Sequence, residues 1–64
     1  MELILPDRQT RHIERGSAPL EVILIEQGFN PLDVIVSRHG TLISEGTIIG
    51  RDDEIRIIRI SHGG

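Results

Sequence analysis

The residues with the clearest chemical potential are the last ones, because Ser61-His62-Gly63-Gly64 directly follow the most β-branched run of the chain. An α-carboxylate is a poor acylating group until its oxygen becomes a good leaving group, and transfer of AMP from ATP is the usual route. Glycine has no Cβ atom, so a Gly-Gly end can lie close to a ligand in a narrow channel. We therefore expect Gly63 and Gly64 to be an activated or conjugated end; the alternative is a loose terminus without a role.

Other side chains give weaker chemical signals. Cysteine is absent, and His12 and His39 lack the spacing of a metal-ligand cluster. His62 is the titratable side chain nearest to the carboxylate in sequence and can pair with a phosphate or with acidic groups of a partner. A solvated residue is the simpler interpretation of His62. We expect no catalytic residue, no bound cofactor and no metal site.

Length and charge exclude several classes of protein. A chain of 64 residues and 7.2 kDa has room for one core of about a dozen side chains, so a self-contained enzyme is not expected. A net charge of −3 disfavours nonspecific nucleic-acid binding and favours a basic protein partner. No apolar stretch approaches a membrane span and no signal region opens the chain, so we expect a cytoplasmic protein.

Lysine is absent, and all seven basic residues are arginine. Compositional drift is the simple explanation. If the terminal carboxylate is activated, however, the absence of lysine has a chemical meaning, because activated carboxyl groups react with amines. Such a chain cannot be its own side-chain target, and we expect it not to build lysine-linked chains on itself.

Five segments have the alternation or the β-branched composition of strands. They are residues 2–5, 10–14, 32–38, 41–43 and 55–60. His39-Gly40 predicts a two-residue turn, because glycine and, less readily, histidine tolerate a positive φ. Residues 44–50 are predicted to be irregular, with Ile48 and Ile49 inserted into the core.

A single helix is predicted between the two hairpins. Ser17 is the expected N-cap, since its hydroxyl can accept from an unpaired N–H of the first turn, and Pro19 fits that turn. The helix then covers residues 20–27. Gly28 is expected to supply the left-handed residue that ends it, with Phe29 folding back onto the last turn.

Two hairpins around one helix indicate an α+β architecture, in which a mixed sheet of four to five strands packs one face on the helix. The last strand is the most apolar and would lie centrally, parallel to the first strand. No linker or repeat interrupts the chain. We therefore expect a single domain, 1–64, with residues 61–64 as a flexible C-terminal tail.

This order of elements, with Gly-Gly after the last strand, resembles the ubiquitin-like sulfur carriers, which have the β-grasp fold. They include the thiamin-pathway carrier, the small subunit of molybdopterin synthase and the archaeal small modifier proteins. The resemblance rests on Gly16-Ser-Ala-Pro19, Asn30-Pro31 before Val34-Ile-Val36, Arg38-His-Gly40 and, most specifically, Glu54-Ile-Arg-Ile-Ile-Arg-Ile-Ser-His-Gly-Gly64. The family usually has Asp-Gly-Asp where this chain has Arg51-Asp52-Asp53, which leaves the type of that turn open.

The resemblance implies that an adenylating enzyme of the ubiquitin-activating (E1-like) class activates the Gly64 carboxylate with ATP and Mg²⁺. The product would be a thiocarboxylate, made with a sulfur donor and used by an acceptor enzyme, or an isopeptide bond to a lysine of a target protein. The chain would be a carrier or modifier and not an enzyme. The alternative is a β-grasp interaction module in which the glycines are incidental.

Recognition by such partners requires an exposed apolar surface. If Ile55 and Ile57 point into the core, pleating places the alternate residues of the last strand on the open face of the sheet. The expected docking residues are Ile35, Arg56, Ile58, Ile60 and His62. A shift of the register by one residue would exchange the two faces.

Overall fold

The protein is a small α+β domain with one helix and a mixed five-stranded sheet, in a computed structural model that describes residues 1–60. In chain order the elements are β1 (Glu2–Ile4), β2 (Thr10–His12), β3 (Ala18–Pro19), α1 (Leu20–Glu26), a 3-10 turn (Pro31–Asp33), β4 (Val34–Arg38), β5 (Thr41–Ile43), β6 (Ile48–Ile49) and β7 (Glu54–Arg59). The large sheet has the order β2-β1-β7-β4-β5. As predicted, the last strand is central and parallel to the first.

The five predicted strands all occur in this sheet, with small differences at their ends. Two strands are each two residues shorter than predicted: strand 10–14 ends at His12, and the first residues of strand 32–38 form the 3-10 turn instead. Asn30 caps this turn, because its side-chain oxygen accepts a hydrogen bond from the Leu32 N–H over 2.9 Å. No helix among residues 1–60 is long and apolar enough to cross a membrane.

The start of α1 differs from the prediction, because Ser17 does not cap it. The helix begins at Leu20, and no side chain accepts a hydrogen bond at its N-cap. The Leu20 N–H donates to the carbonyl oxygen of Thr47, and the Glu21 N–H donates to that of Glu45, each over 2.9 Å. Backbone carbonyl groups of a distant loop therefore satisfy the donors that a serine hydroxyl was expected to satisfy.

A second, two-stranded sheet brings that loop to the helix. Pro19 lies in β3 rather than in the first helical turn, and β3 pairs antiparallel with β6. The prediction that residues 44–50 are irregular is therefore wrong at Ile48–Ile49. Ile49 is fully buried as predicted, whereas Ile48 is 57% exposed, since adjacent residues of a strand point to opposite sides.

The end of α1 follows the prediction. Gly28 has a φ of 89°, and its N–H donates to the Ile25 carbonyl oxygen over 3.1 Å. The Phe29 N–H donates to the Leu24 carbonyl oxygen over 2.8 Å. These two bonds form a Schellman motif, and the ring of Phe29 packs against the core.

The core lies between α1 and one face of the large sheet. Its buried residues are Met1, Leu3, Ala18, Leu20, Ile23, Leu24, Val34, Val36, Ile49, Ile55 and Ile57. Full burial of one such leucine or isoleucine contributes roughly 1.5–3 kcal/mol to folding. Because the chain has no cysteine, apolar packing of this cluster takes the place of disulfide bonds.

Two tight turns orient β7 and its neighbour β4. His39 and Gly40 have φ values of 53° and 78°, so the β4–β5 hairpin has two left-handed residues in its turn, as predicted. Before β7, the Asp53 N–H donates to the Gly50 carbonyl oxygen over 3.1 Å. Asp52 has no positive φ. This turn therefore does not need glycine at the position where the sulfur carriers usually have it.

Candidate docking face

The alternation predicted for the last strand is observed in β7. Ile55 and Ile57 are each 1% exposed and point into the core. Arg56 and Ile58 are exposed on the opposite face, which no other element of residues 1–60 covers. The register of β7 is therefore the predicted one, and the open face carries the residues expected there.

Three isoleucines come together at the end of β7. Ile58 lies directly opposite Ile35 in the antiparallel pairing of β7 with β4. Ile60 follows β7, and its N–H donates to the Asp33 carbonyl oxygen over 2.9 Å. Each of the three isoleucines is 38–40% exposed. We refer to Ile35, Ile58 and Ile60 as the isoleucine patch.

A row of side chains crosses the open face next to this patch. Arg56 lies level with Ile4 on one side and with Ser37 on the other, and Ser37 lies level with Leu42. Leu42 is 64% exposed and extends the apolar surface to the edge strand. Ile4 and Leu42 were not among the predicted docking residues, although the alternation within β1 and β5 places both on this face.

One end of the open face is acidic. Glu2 of β1 lies level with Glu54 of β7. Between β2 and β1, the ring of His12 hydrogen-bonds to Glu2 through Nδ1 and to Glu14 through Nε2, the second contact over 2.6 Å. The hydrogen bonds to Glu14 and Glu2 raise the pKa of His12, and the bond to His12 lowers the pKa of Glu14. Within residues 1–60, no group of His, Cys, Asp or Glu is arranged to hold a metal ion.

The surface beside the other end of the open face is basic. Of the two arginines of β7, Arg56 lies on this face, whereas Arg59 is paired with the buried Val34 and starts on the helix side of the sheet. A groove between the β1–β2 turn and β7 is lined by Ile4, Leu5, Pro6, Arg8, Thr10, Arg56, Ile57, Ile58 and Arg59. Three of these residues are arginine and none is acidic. We call this feature the arginine groove. The net charge of −3 predicts a basic partner, whereas the local charge of this groove is positive.

The remaining predicted site residues lie outside the described part of the chain. They are His62, Gly63 and Gly64, together with the predicted flexible tail, residues 61–64. The structure thus brings together four of the five predicted docking residues: Ile35, Arg56, Ile58 and Ile60. Arg8 and Arg59 were not among the predicted site residues, because they line the same groove only where the β1–β2 hairpin lies beside β7.

Comparison of the sequence with protein-family models gives no match, and comparison with curated proteins gives none. The geometry therefore has to support any functional conclusion. It consists of a central last strand, an open face with an apolar patch at the end of that strand, and charges of opposite sign at the two ends of the face.

Proposed function

We propose that the chain is a ubiquitin-like β-grasp protein that acts as a sulfur carrier or protein modifier through the carboxylate of Gly64. The observation that carries the proposal is the position of β7. This strand is central, pairs with both β1 and β4, and leads directly to Ser61-His62-Gly63-Gly64. An end held by the best-supported strand of a sheet is well suited to presentation to another enzyme.

The β-grasp assignment rests on topology. Two hairpins, β1–β2 and β4–β5, flank the last strand, and a single helix packs on one face of the sheet. A parallel pair between the first and last strands, with the hairpins on either side, is the arrangement that the resemblance to the sulfur carriers implies. The other face of the sheet stays free for a partner.

The proposed chemistry takes place at Gly64 in the active site of the partner. The carboxylate oxygen attacks the α-phosphorus of Mg²⁺-bound ATP, and pyrophosphate leaves. Sulfide from a sulfur donor, or the ε-amine of a target lysine, then attacks the acyl carbon and AMP leaves. The first route gives a thiocarboxylate for an acceptor enzyme and the second gives an isopeptide bond. We assign these reactions to the cytoplasm, where ATP and the partner enzymes are expected.

The isoleucine patch and Arg56 form the proposed docking surface for the activating enzyme. Burial of apolar surface contributes about 25 cal/mol per Å². Each of the three isoleucines is more than a third exposed, so their burial by a partner would contribute favourably to the free energy of binding. Ile60, the last residue of the patch, is followed in the sequence by Ser61-His62-Gly63-Gly64. His62 is proposed to add a polar contact to the same partner.

The intact mass of the protein after incubation with candidate activating enzymes, Mg²⁺-ATP and a sulfur source tests the proposal. We expect a mass gain equal to the replacement of one oxygen by sulfur, or a covalent conjugate when target proteins are added. Deletion of Gly64 is the matched control and should abolish both products. Absence of an adenylate, thiocarboxylate or conjugate with every candidate enzyme would refute the proposal.

An interaction module is the second candidate, and the open face favours it. The isoleucine patch and the arginine groove can bind a partner whether or not Gly64 is activated. The two candidates differ in their dependence on the terminus. A carrier loses its function when Gly64 is deleted or when residues are added after it, whereas a binding module retains its affinity in both variants.

A further inference from the structure

We infer that the arginine groove binds an acidic segment of a protein partner, and that Arg8 and Arg59 bind its carboxylates together with Arg56. On the proposed function that partner is the activating enzyme, so this part of the inference rests on the proposed function. The occupant should carry aspartate or glutamate and at least one apolar residue.

The side chains of the groove arginines have no partners among residues 1–60. Among the other arginines, Arg15 is paired with Glu26 over 2.9 Å and Arg38 with Asp53 over 3.1 Å. Arg11 donates to Gln27 over 3.0 Å, whereas the Arg51 side chain has no partner among residues 1–60. The side chains of Arg8, Arg56 and Arg59 are exposed and have no hydrogen-bond or ion-pair partner among residues 1–60. Three neighbouring cations repel one another, and an acidic segment relieves that repulsion.

The sign of the charge changes along the open face. The acids of this face, Glu2 and Glu54, lie in the row next to Ile4 and Arg56, on the side away from Ile58, where an acidic segment would be repelled. Attraction at one end and repulsion at the other fix the position of the segment and its direction along β7. Carboxylates also suit arginine, whose planar guanidinium group donates two parallel hydrogen bonds to one carboxylate.

The floor of the groove indicates that the occupant is a peptide segment. Ile4 and Ile58 line it between the arginines. An apolar side chain of a peptide can pack on these isoleucines while neighbouring carboxylates contact the arginines. A nucleic acid would instead need aromatic side chains for stacking, and the only aromatic residue of the chain, Phe29, packs on the core at the other face of the sheet.

The backbone at Arg8 supports a binding role for its side chain. Arg8 has a φ of 71°, in the left-handed region that favours glycine. The turn is held by hydrogen bonds from the Arg8 N–H to the Leu5 carbonyl oxygen over 2.8 Å and from the Gln9 N–H to the Asp7 carboxylate over 3.0 Å. Glycine would fit this turn without strain, so folding alone does not account for arginine at this position.

The direct test is a titration of the full chain with a capped acidic peptide of glutamate and leucine, followed by amide NMR shifts. We expect the shifts to concentrate at Arg8, Arg56, Ile58 and Arg59. The matched peptide with lysine in place of glutamate should leave these amides unchanged. Equal shifts with both peptides, or shifts confined to other surfaces, would overturn the inference, and so would tighter binding of a single-stranded oligonucleotide.

Charge-reversal variants locate the binding residues. R8E and R59E should each lower the affinity for the acidic peptide by about tenfold or more, and a tenfold loss corresponds to about 1.4 kcal/mol of binding free energy. R51E is the matched control, because Arg51 is an exposed arginine in the turn at the opposite end of β7 and changes the net charge equally. It should change the affinity less than twofold. Equal losses in the three variants would show a bulk charge effect and overturn the inference.

The R8G variant separates binding from folding. Glycine relieves the left-handed strain at position 8, so the thermal midpoint should not fall, while the peptide affinity should fall as it does in R8E. If the R8G variant binds the peptide as tightly as the original chain, the Arg8 side chain does not take part in binding.

Failure of this inference is distinguishable from failure of the proposed function. With an activating enzyme, R8E and R59E should raise the KM for the carrier, whereas deletion of Gly64 abolishes activation. Activation that depends on Gly64 but has an unchanged KM in R8E and R59E overturns the groove inference and keeps the function. Groove-dependent binding of the acidic peptide without activation by any enzyme keeps the inference and overturns the function.

Discussion

Arg38 and Asp53 form a partly buried ion pair, in which Nη1 of Arg38 donates to Oδ2 of Asp53 over 3.1 Å. The same Arg38 nitrogen donates to the Ile48 carbonyl oxygen, and the same Asp53 oxygen accepts from the Gly50 N–H over 2.7 Å. The pair thus joins the end of β4 to the turn that precedes β7. It helps to hold the two strands that present Ile35 and Ile58.

Replacement of Asp53 by alanine should destabilise the fold. It leaves the Gly50 N–H without its acceptor and removes the partner of Arg38, which together should lower the free energy of unfolding by about 1–2 kcal/mol. Urea denaturation measures this change. D52A is the control, because Asp52 is exposed in the same turn and should have little effect; equal losses in the two variants would contradict the assigned role of Asp53.

The Asp53 carboxylate also predicts an acid-sensitive contribution to stability. The Gly50 N–H, followed by Arg38, lowers the pKa of Asp53 below its usual range. A lowered carboxyl pKa stabilises the fold above the unfolded pKa of about 3.9, and this contribution is lost as the pH falls through the folded pKa. Unfolding curves measured between neutral and acidic pH should therefore show that D53N loses less stability on acidification than the original chain does.

His12 should contribute to stability with the opposite pH dependence. Its bonds to Glu14 and Glu2 raise its pKa above about 6.5, so its contribution is complete below that pH and is lost as the pH rises through the folded value. The ring protons of His12, followed by NMR, should titrate above the usual range. E14Q should lower that pKa, and an unchanged titration in E14Q would refute the arrangement.

Replacement of Ile58 by aspartate should weaken docking while the domain stays folded. A carboxylate in the isoleucine patch places an unpaired charge in the proposed interface, so the KM for activation should rise about tenfold or more. I25D is the matched control, because Ile25 is 63% exposed on the helix, away from the open face. Unchanged activation kinetics in a folded I58D variant would remove the docking hypothesis.

Replacement of Gly28 by alanine should destabilise the domain by about 1 kcal/mol. The cause is the φ of 89°, since a Cβ atom at this position would meet no other atom within 4 Å. G16A is the control, because Gly16 has equal space around it and no positive φ. Thermal unfolding of the two variants should differ, and equal midpoints would show that the left-handed conformation costs little here.

Local patterns in the sequence predicted most of the large sheet. The alternation of residues in β7 predicted which of them are buried and which are exposed. Gly28 and His39-Gly40 predicted the left-handed turns at these positions. Each of these features depends only on a few neighbouring residues. The open face was predictable at Ile35, Arg56 and Ile58 for the same reason.

Features that depend on distant pairing were not predictable. Ser17 has a good side chain for a cap, but the pairing of β3 with β6 supplies carbonyl groups instead. Ile48 has the composition of a core residue, yet the pairing of Ile49 turns it to solvent. Arg8 and Arg59 are far apart in sequence and line one groove only because β1 and β7 are neighbours. The net charge of the chain therefore did not indicate a basic groove.

The N-terminus of α1 is capped by backbone carbonyl groups of a distant loop, and this affects the order in which the domain folds. A helix of seven residues is too short to persist alone, and its first donors are satisfied only by Thr47 and Glu45, much later in the chain. The helix should therefore form together with the β3–β6 pair and not before it. A ribosome-bound chain that has emerged only as far as Gly40 should lack a stable helix. The domain should gain its structure in one cooperative step only after both residues 45–49 and the central strand β7 have emerged.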